Sequence, residues 1–264
     1  MLLVELGKAF HRLRTYILGM LLAAVGVLPV IILATTSDAS GGPPFLELIR
    51  RNGLFAALTA LALIQPFILP LGAGLLAGET IAGEATSGTL RYLLVRPVGR
   101  VRLLLSKYGS VMALLGGAVV WVLVVGMVSG GFTYGYGPLP TLSGTTLSAG
   151  ASAARIALAA AYVVAGAAGV AAVGLFFSTL TDSAPGATVA TVAFVIVSQI
   201  LDAIPSLRVL RPFLLTHDWL AYVDLFRSPV AWEGVGHGVV VFAVYTALFV
   251  GGALAVFTRR DVTS

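Results

Sequence analysis

Long apolar runs broken by short polar stretches dominate the chain and predict helices that cross a membrane. Six runs are long enough for a hydrocarbon core of roughly 30 Å. They fall at about 15–36, 55–77, 108–130, 156–177, 187–204 and 235–257. The expected fold class is an all-α membrane protein with six transmembrane helices, in a single domain over residues 1–264.

Two segments break the oily pattern. Residues 1–14 set Leu2, Leu3, Leu6, Ala9, Phe10 and Leu13 at helical spacing against Glu5, Lys8, His11, Arg12 and Arg14, which predicts an amphipathic helix lying in the interface. The charged region is long and no small-residue cleavage site follows, so a signal peptide is not expected. The second segment, 78–108, is a charged island with Arg91, Arg96, Arg100, Arg102 and Lys107 against Glu79 and Glu84. One basic side chain at a bilayer centre costs roughly 2.5–3.5 kcal/mol, so five belong in water or at the headgroups. Their excess marks the cytoplasmic side.

The island has a readable grammar. Residues 81–87 extend the preceding helix and Gly88 suits its end. Thr89 is an N-cap for a short helix over 90–95, with Leu90, Leu93 and Leu94 on one face. Arg96 precedes Pro97 and is biased away from helix, residues 97–99 form a turn, and Arg100 opens the next helix. A short amphipathic helix held between two spans suits a docking surface; an ordinary solvated loop is the alternative.

Inside the spans, Pro66 and Pro70, with Gln65 beside them, free backbone carbonyls that only protein or a water-lined cavity can accept. That makes the middle of the second span either a transport path or a kink that shapes packing. Pro29 kinks or ends the regular part of the first span. In the third, Gly126 and Gly130 allow a close helix approach. Residues 131–150 show neither helix nor strand period and predict an external loop. The fourth span, rich in Ala, Gly and Val, is slim enough to pack inside a bundle. Pro185 starts the fifth, which carries Thr191, Ser198, Gln199 and, at its outer end, Asp202 as a solvated or a functional acid. Residues 205–234 predict one or two short outer helices with Trp219, Tyr222, Val223 and Phe226 in an aromatic belt. His217 and His237 are too few to define a metal site, and none is expected.

Composition adds limits. The chain is 58% hydrophobic and 10% charged, which excludes a soluble domain, and it has no Cys, which excludes thiolate chemistry. A net charge of +5 reflects topology and not nucleic-acid binding. With both termini inside, ten of the 16 Lys and Arg fall on the cytoplasmic side, as the positive-inside rule requires. No phosphate-binding loop, HExxH or GxSxG occurs, so no catalytic residue and no cofactor is expected on this chain. Scarce intramembrane charge weakens a proton-coupled carrier.

The ordered set Glu84, Gly88-Thr89, Leu93-Leu94, Arg96-Pro97-Val98, Arg100 and Lys107, with the Phe257-x-Arg259-Arg260-Asp261 ending, resembles the permeases of type-2 ABC exporters. That resemblance implies that residues 1–14 are an elbow helix on the cytoplasmic leaflet and that 88–97 carries the coupling helix between spans two and three. It also implies two ATPase subunits, which hold the ATP and Mg, and a second permease chain, identical or related. Glu79, Glu84, Gly88, Thr89, Leu90, Arg91, Leu93, Leu94, Arg96, Pro97, Arg100 and Lys107 then form the coupling surface, with Glu84 tied to Arg12, Arg14, Arg91 or Arg100. Spans one, two and five line a path, for which Gln65, Pro66, Pro70, Thr191, Ser198 and Gln199 are the candidates. The expected location is a bacterial inner membrane. Rival readings are a secondary carrier or channel, and a membrane scaffold. The apolar spans with scattered Thr, Ser and Gln suit an amphipathic drug, peptide antibiotic or lipid as substrate better than an ion.

Overall fold

Apolar runs that long satisfy their backbone polar groups internally, and the chain does so almost wholly as helix. The computed structural model describes residues 13–35, 42–86 and 99–259. The predicted elbow stretch up to residue 12 lies outside the described residues, as do Gly88, Thr89, Leu90, Arg91, Leu93, Leu94, Arg96 and Pro97.

Helix α1 is Leu13–Thr35 and runs on through Pro29. Then come α2 (Leu54–Ile64), α3 (Ile68–Gly78) and the short α4 (Ala82–Thr86). Four long helices follow: α5 (Arg100–Tyr134), α6 (Ala149–Leu180), α7 (Ala184–Ala203) and α8 (Trp232–Arg259). Helices α5 to α8 are each long and apolar enough to cross a membrane. The pair α2–α3, bent by 58°, makes a fifth if it is one broken span. The protein is therefore a multi-pass, largely α-helical membrane protein. The described apolar part of α1, Gly19–Thr35, is shorter than a full crossing.

Small residues decide who sits in the middle. Helix α6, rich in Ala and Gly, is the most buried of the spans and packs against α3, α5, α7 and α8, whereas α8 is the least buried. The seam between α2 and α5 shows why Gly126 and Gly130 are glycines. A Cβ on Gly126 would meet the Ala57 Cα at 2.6 Å, and one on Gly130 the Gly53 carbonyl oxygen at 2.1 Å.

The bundle has a basic end, where α5 begins and α8 finishes, and an opposite end, where the longer connections lie. Residues 131–150 are more ordered there than their sequence predicts. Helix α5 continues to Tyr134, Gly135 (φ 76°) ends it, and Leu139–Pro140 pairs antiparallel with Thr146–Leu147. A two-residue ladder is too short to write a period into the sequence. The 205–231 segment forms 3-10 turns at Pro205–Leu207, Arg211–Phe213 and Ala221–Phe226. The aromatics expected in an outward belt do not form one: Trp219, Tyr222 and Phe226 are buried. In a 3-10 turn residues at i, i+3 share one edge, and here Tyr222 and Leu225, with Phe226 beside them, face the core. Phe226 packs edge-on against Phe45 at 5.3 Å, and Phe45 stacks on Phe55 at 5.3 Å. The Tyr222 hydroxyl donates to the Leu58 carbonyl (3.1 Å), and burial pushes its ionisation above the ordinary phenol range.

Candidate functional site

Two places gather the polar groups singled out in the sequence. The first is the basic end, where the chain enters and leaves the segment 87–98. Helix α3 finishes at Gly78, and residues 79–81 turn the chain into α4. The turn is fixed by Ser178 of α6, which is fully buried. Its hydroxyl donates to the Gly78 carbonyl (2.9 Å) and accepts from the backbone N–H groups of Ile81 (3.1 Å) and Ala82 (3.0 Å). One side chain thereby bonds three backbone groups at the ends of two helices.

The corner aims α4 at α5, where Glu84 pairs with the Lys107 ammonium. The Lys107 side chain is 9% exposed and the Glu84 side chain 22%, so both charges are largely withdrawn from water. Arg12 and Arg91, offered by the resemblance as partners of Glu84, lie outside the described residues, as does the side chain of Arg14. Arg100 reaches the end of α8 and donates to the carbonyls of Thr258 (3.0 Å) and Phe257 (3.4 Å). A guanidinium there satisfies free carbonyls and complements the negative end of the helix dipole. Glu79 is exposed at the corner. Beneath these groups lies a small apolar cluster of Ile81, Leu103, Leu104, Leu175, Ala253 and Phe257. The arrangement joins the two sides of the 87–98 segment to one another, through Glu84 and Lys107, and to the bundle, through Ser178.

The second place is the break between α2 and α3. Pro66 has no N–H to continue the helix, and Phe67 leaves helical geometry at φ −138°. Pro70 has none either, so the carbonyl four residues back, on Pro66, loses its ladder partner. Gln199 of α7 supplies the missing donor, its Nε2 lying 2.7 Å from the Pro66 oxygen. Gln65 is buried and donates through Nε2 to the Trp219 carbonyl (2.7 Å). The structure thus brings together Gln65, Pro66, Pro70 and Gln199. Ser198, the residue before Gln199, shares a hydrogen bond with Thr216 (2.9 Å). Thr191 is fully buried, bonds its own helix at the Ala187 carbonyl (2.7 Å), and faces Gly74 and Gly174. In this state the α3–α7 seam is closed.

Residues 216–219 bind this break to the rest of the bundle. Besides the Thr216 and Trp219 links, His217 Nδ1 lies 2.7 Å from Asp202 Oδ1, and His237 Nδ1 lies 2.6 Å from Asp218 Oδ2. The Tyr162 hydroxyl donates to the Asp218 carbonyl (2.6 Å). Asp202 is thus a paired, half-exposed carboxylate, and the two His belong to separate pairs. Among the described residues there is no group of three or more His, Cys, Asp or Glu that could hold a metal. Ser178 and Tyr162 had no signal in the sequence, since each is a common residue whose partner lies far along the chain, and Trp219 was expected to face outward.

A helical membrane bundle with a polar link at its basic end and a broken span within it defines the class. The chain belongs to the family described as "Protein of unknown function (DUF2705)", whose model matches residues 19–263. Over 62 residues it is 44% identical to the probable ABC transporter permease protein NosY of Stutzerimonas stutzeri. That stretch spans 22% of this chain and 22% of that relative. The chain is thereby distantly related to an ABC transporter permease.

Proposed function

We propose that the chain is the membrane-spanning subunit of an ATP-driven exporter of the type-2 ABC class. It has six spans, both termini in the cytoplasm and its basic end facing the cytoplasm of a bacterium. Two ATPase subunits supply the ATP and Mg, and a second permease chain completes the path. Segment 88–97 is the coupling element on which each ATPase acts, and residues 1–14 form the elbow helix. Substrate passes along the break at Gln65, Pro66 and Pro70 and the facing residues Thr191, Ser198 and Gln199.

The observation that carries this reading is the Glu84–Lys107 link. A segment pulled by a partner moves a span only if its ends are rigidly joined to the bundle. Here α4 and α5 are joined across the segment by a charge pair, and the corner before α4 is locked by Ser178. ATP binding that draws two ATPases together would therefore move α3 and α5 with the coupling segment and shift access between the two sides.

The test is reconstitution with the ATPase that co-purifies in mild detergent. The wild-type complex should show substrate-stimulated ATP hydrolysis, and Glu84→Ala should keep basal hydrolysis while losing the stimulation. No stoichiometric ATPase in the pull-down would sink the proposal and favour a carrier, channel or scaffold.

A further inference from the structure

The helix break leaves two buried polar atoms unpaired, on two residues that line the same crevice. One is Gln65 Oε1, on a residue 2% exposed; the other is the indole Nε1 of Trp219, on a residue 6% exposed. Both residues line one space together with Leu69, Pro70, Val163 and Gly166. The orientation of the Gln65 amide is not free, because its nitrogen must face the Trp219 carbonyl at 2.7 Å; the flipped amide would set two carbonyl oxygens against each other. Gln65 therefore offers an acceptor and Trp219 a donor. Natively buried polar atoms are rarely left without a partner, and those that are call for an explanation. The crevice as it stands is too narrow for a water molecule. What could satisfy the pair enters only when the break opens.

We infer that this crevice is a recognition site for a neutral hydroxyl carried on an apolar body. A hydroxyl donates to Gln65 Oε1 and accepts from Trp219 Nε1 at once. An ammonium has no lone pair for the indole N–H, and a carboxylate has no proton for the amide oxygen. None of the described residues lining the crevice carries a charge that would offset desolvation of either ion. Leu69, Pro70 and Val163 suit the aliphatic part of such a molecule, and Gly166 gives it room beside the indole nitrogen. The bent junction at 65–67 is where the crevice would widen. This rests on the path reading above and narrows it to an amphipathic alcohol.

The test uses the full chain in detergent with Trp219 as the single reporter, in a Trp121→Phe, Trp232→Phe background; both replaced residues are exposed. The probes are n-octanol, octylamine and octanoate at neutral pH. Octanol should change Trp219 emission saturably, and the two ions should not. Gln65→Met, which removes the acceptor, and Gly166→Ala should each weaken the octanol response at least tenfold. The Gly166→Ala methyl would lie 3.7 Å from Trp219 Nε1 and 3.4 Å from Phe242, ordinary contact distances, so this variant keeps the fold and only fills the site. Equal responses to the three probes, or an octanol response unchanged in both variants, would overturn the inference. No saturable octanol response in the single-tryptophan protein with Gln65 and Gly166 intact would overturn it as well. No ATPase is needed for the readout. Octanol binding without ATP-driven transport would sink the exporter and keep the site; transport without octanol binding would do the reverse.

Discussion

At the basic end, a few polar links hold the chain around a small apolar cluster, whereas the opposite end is sealed by an aromatic core. Ser178, Lys107 and Arg100 each make contacts that one rotamer change would release. Phe45, Phe55, Tyr222 and Phe226 instead interlock over a buried area from which they cannot withdraw singly. Arg155 adds to that seal, donating to the carbonyls of Leu225 and Arg227 at 2.8 Å each. Polar links exchange partners readily; close-packed aromatic rings do not. The contrast suits a molecule that receives a push at one end and holds a rigid frame at the other.

The largest expected effect comes from breaking the frame. Phe226→Ala should cost roughly 3–5 kcal/mol, the usual range for a fully buried Phe, and lower the melting temperature in detergent by more than any change at the basic end. Gly130→Val is close behind, since its side chain collides with the Gly53 backbone and cannot be relieved by a rotamer. Little monodisperse protein by size exclusion is the expected result. Normal yield from either variant would show that the aromatic end is not the frame.

The basic end should respond differently. Removing one member of a buried ion pair costs about 3–5 kcal/mol, and of an exposed pair only about 0.2–1 kcal/mol. Glu84 and Lys107 lie between these limits, so roughly 1–3 kcal/mol is expected for Lys107→Ala. A Glu84→Gln, Lys107→Met double variant should regain most of the stability without regaining ATPase stimulation. Ser178→Ala removes the acceptor that the Ile81 and Ala82 N–H groups share, for about 1–3 kcal/mol. Hydrogen exchange at residues 79–86 should rise in that variant, while residues 221–226 keep their protection.

Much of the frame could be read along the chain, because it follows from local properties. Apolar length gave the helices, two prolines gave the break, and Gly126 with Gly130 gave a seam. The links could not be read that way. Ser178 bonds residues nearly a hundred positions away, and Gln65 meets Trp219 at a still longer separation. Lys107 stood among the island's basic residues with nothing local to single it out as the partner of Glu84. The inward turn of Tyr222 and Phe226 was hidden for another reason: aromatics spaced to share one face look the same whether that face meets lipid or core. Periodicity reports that a face exists and not what covers it.

The smallest effect should come from the junction of the two regions, at Gln199. Its amide repairs the ladder where Pro70 cannot donate, but Pro66 is exposed and water in the path can substitute in part. Gln199→Leu should therefore cost only about 0.5–1.5 kcal/mol, the net worth of one hydrogen bond. Its effect on motion should be larger than its effect on stability. With the Pro66 carbonyl released, the 58° bend loses its tie to α7, and hydrogen exchange at Phe67 to Leu69 should quicken several-fold while α5 and α6 stay unchanged. Uniform acceleration across the bundle would mean that the break is an ordinary kink held by packing. Acceleration confined to the break would mark it as the place where the rigid frame and the movable end meet.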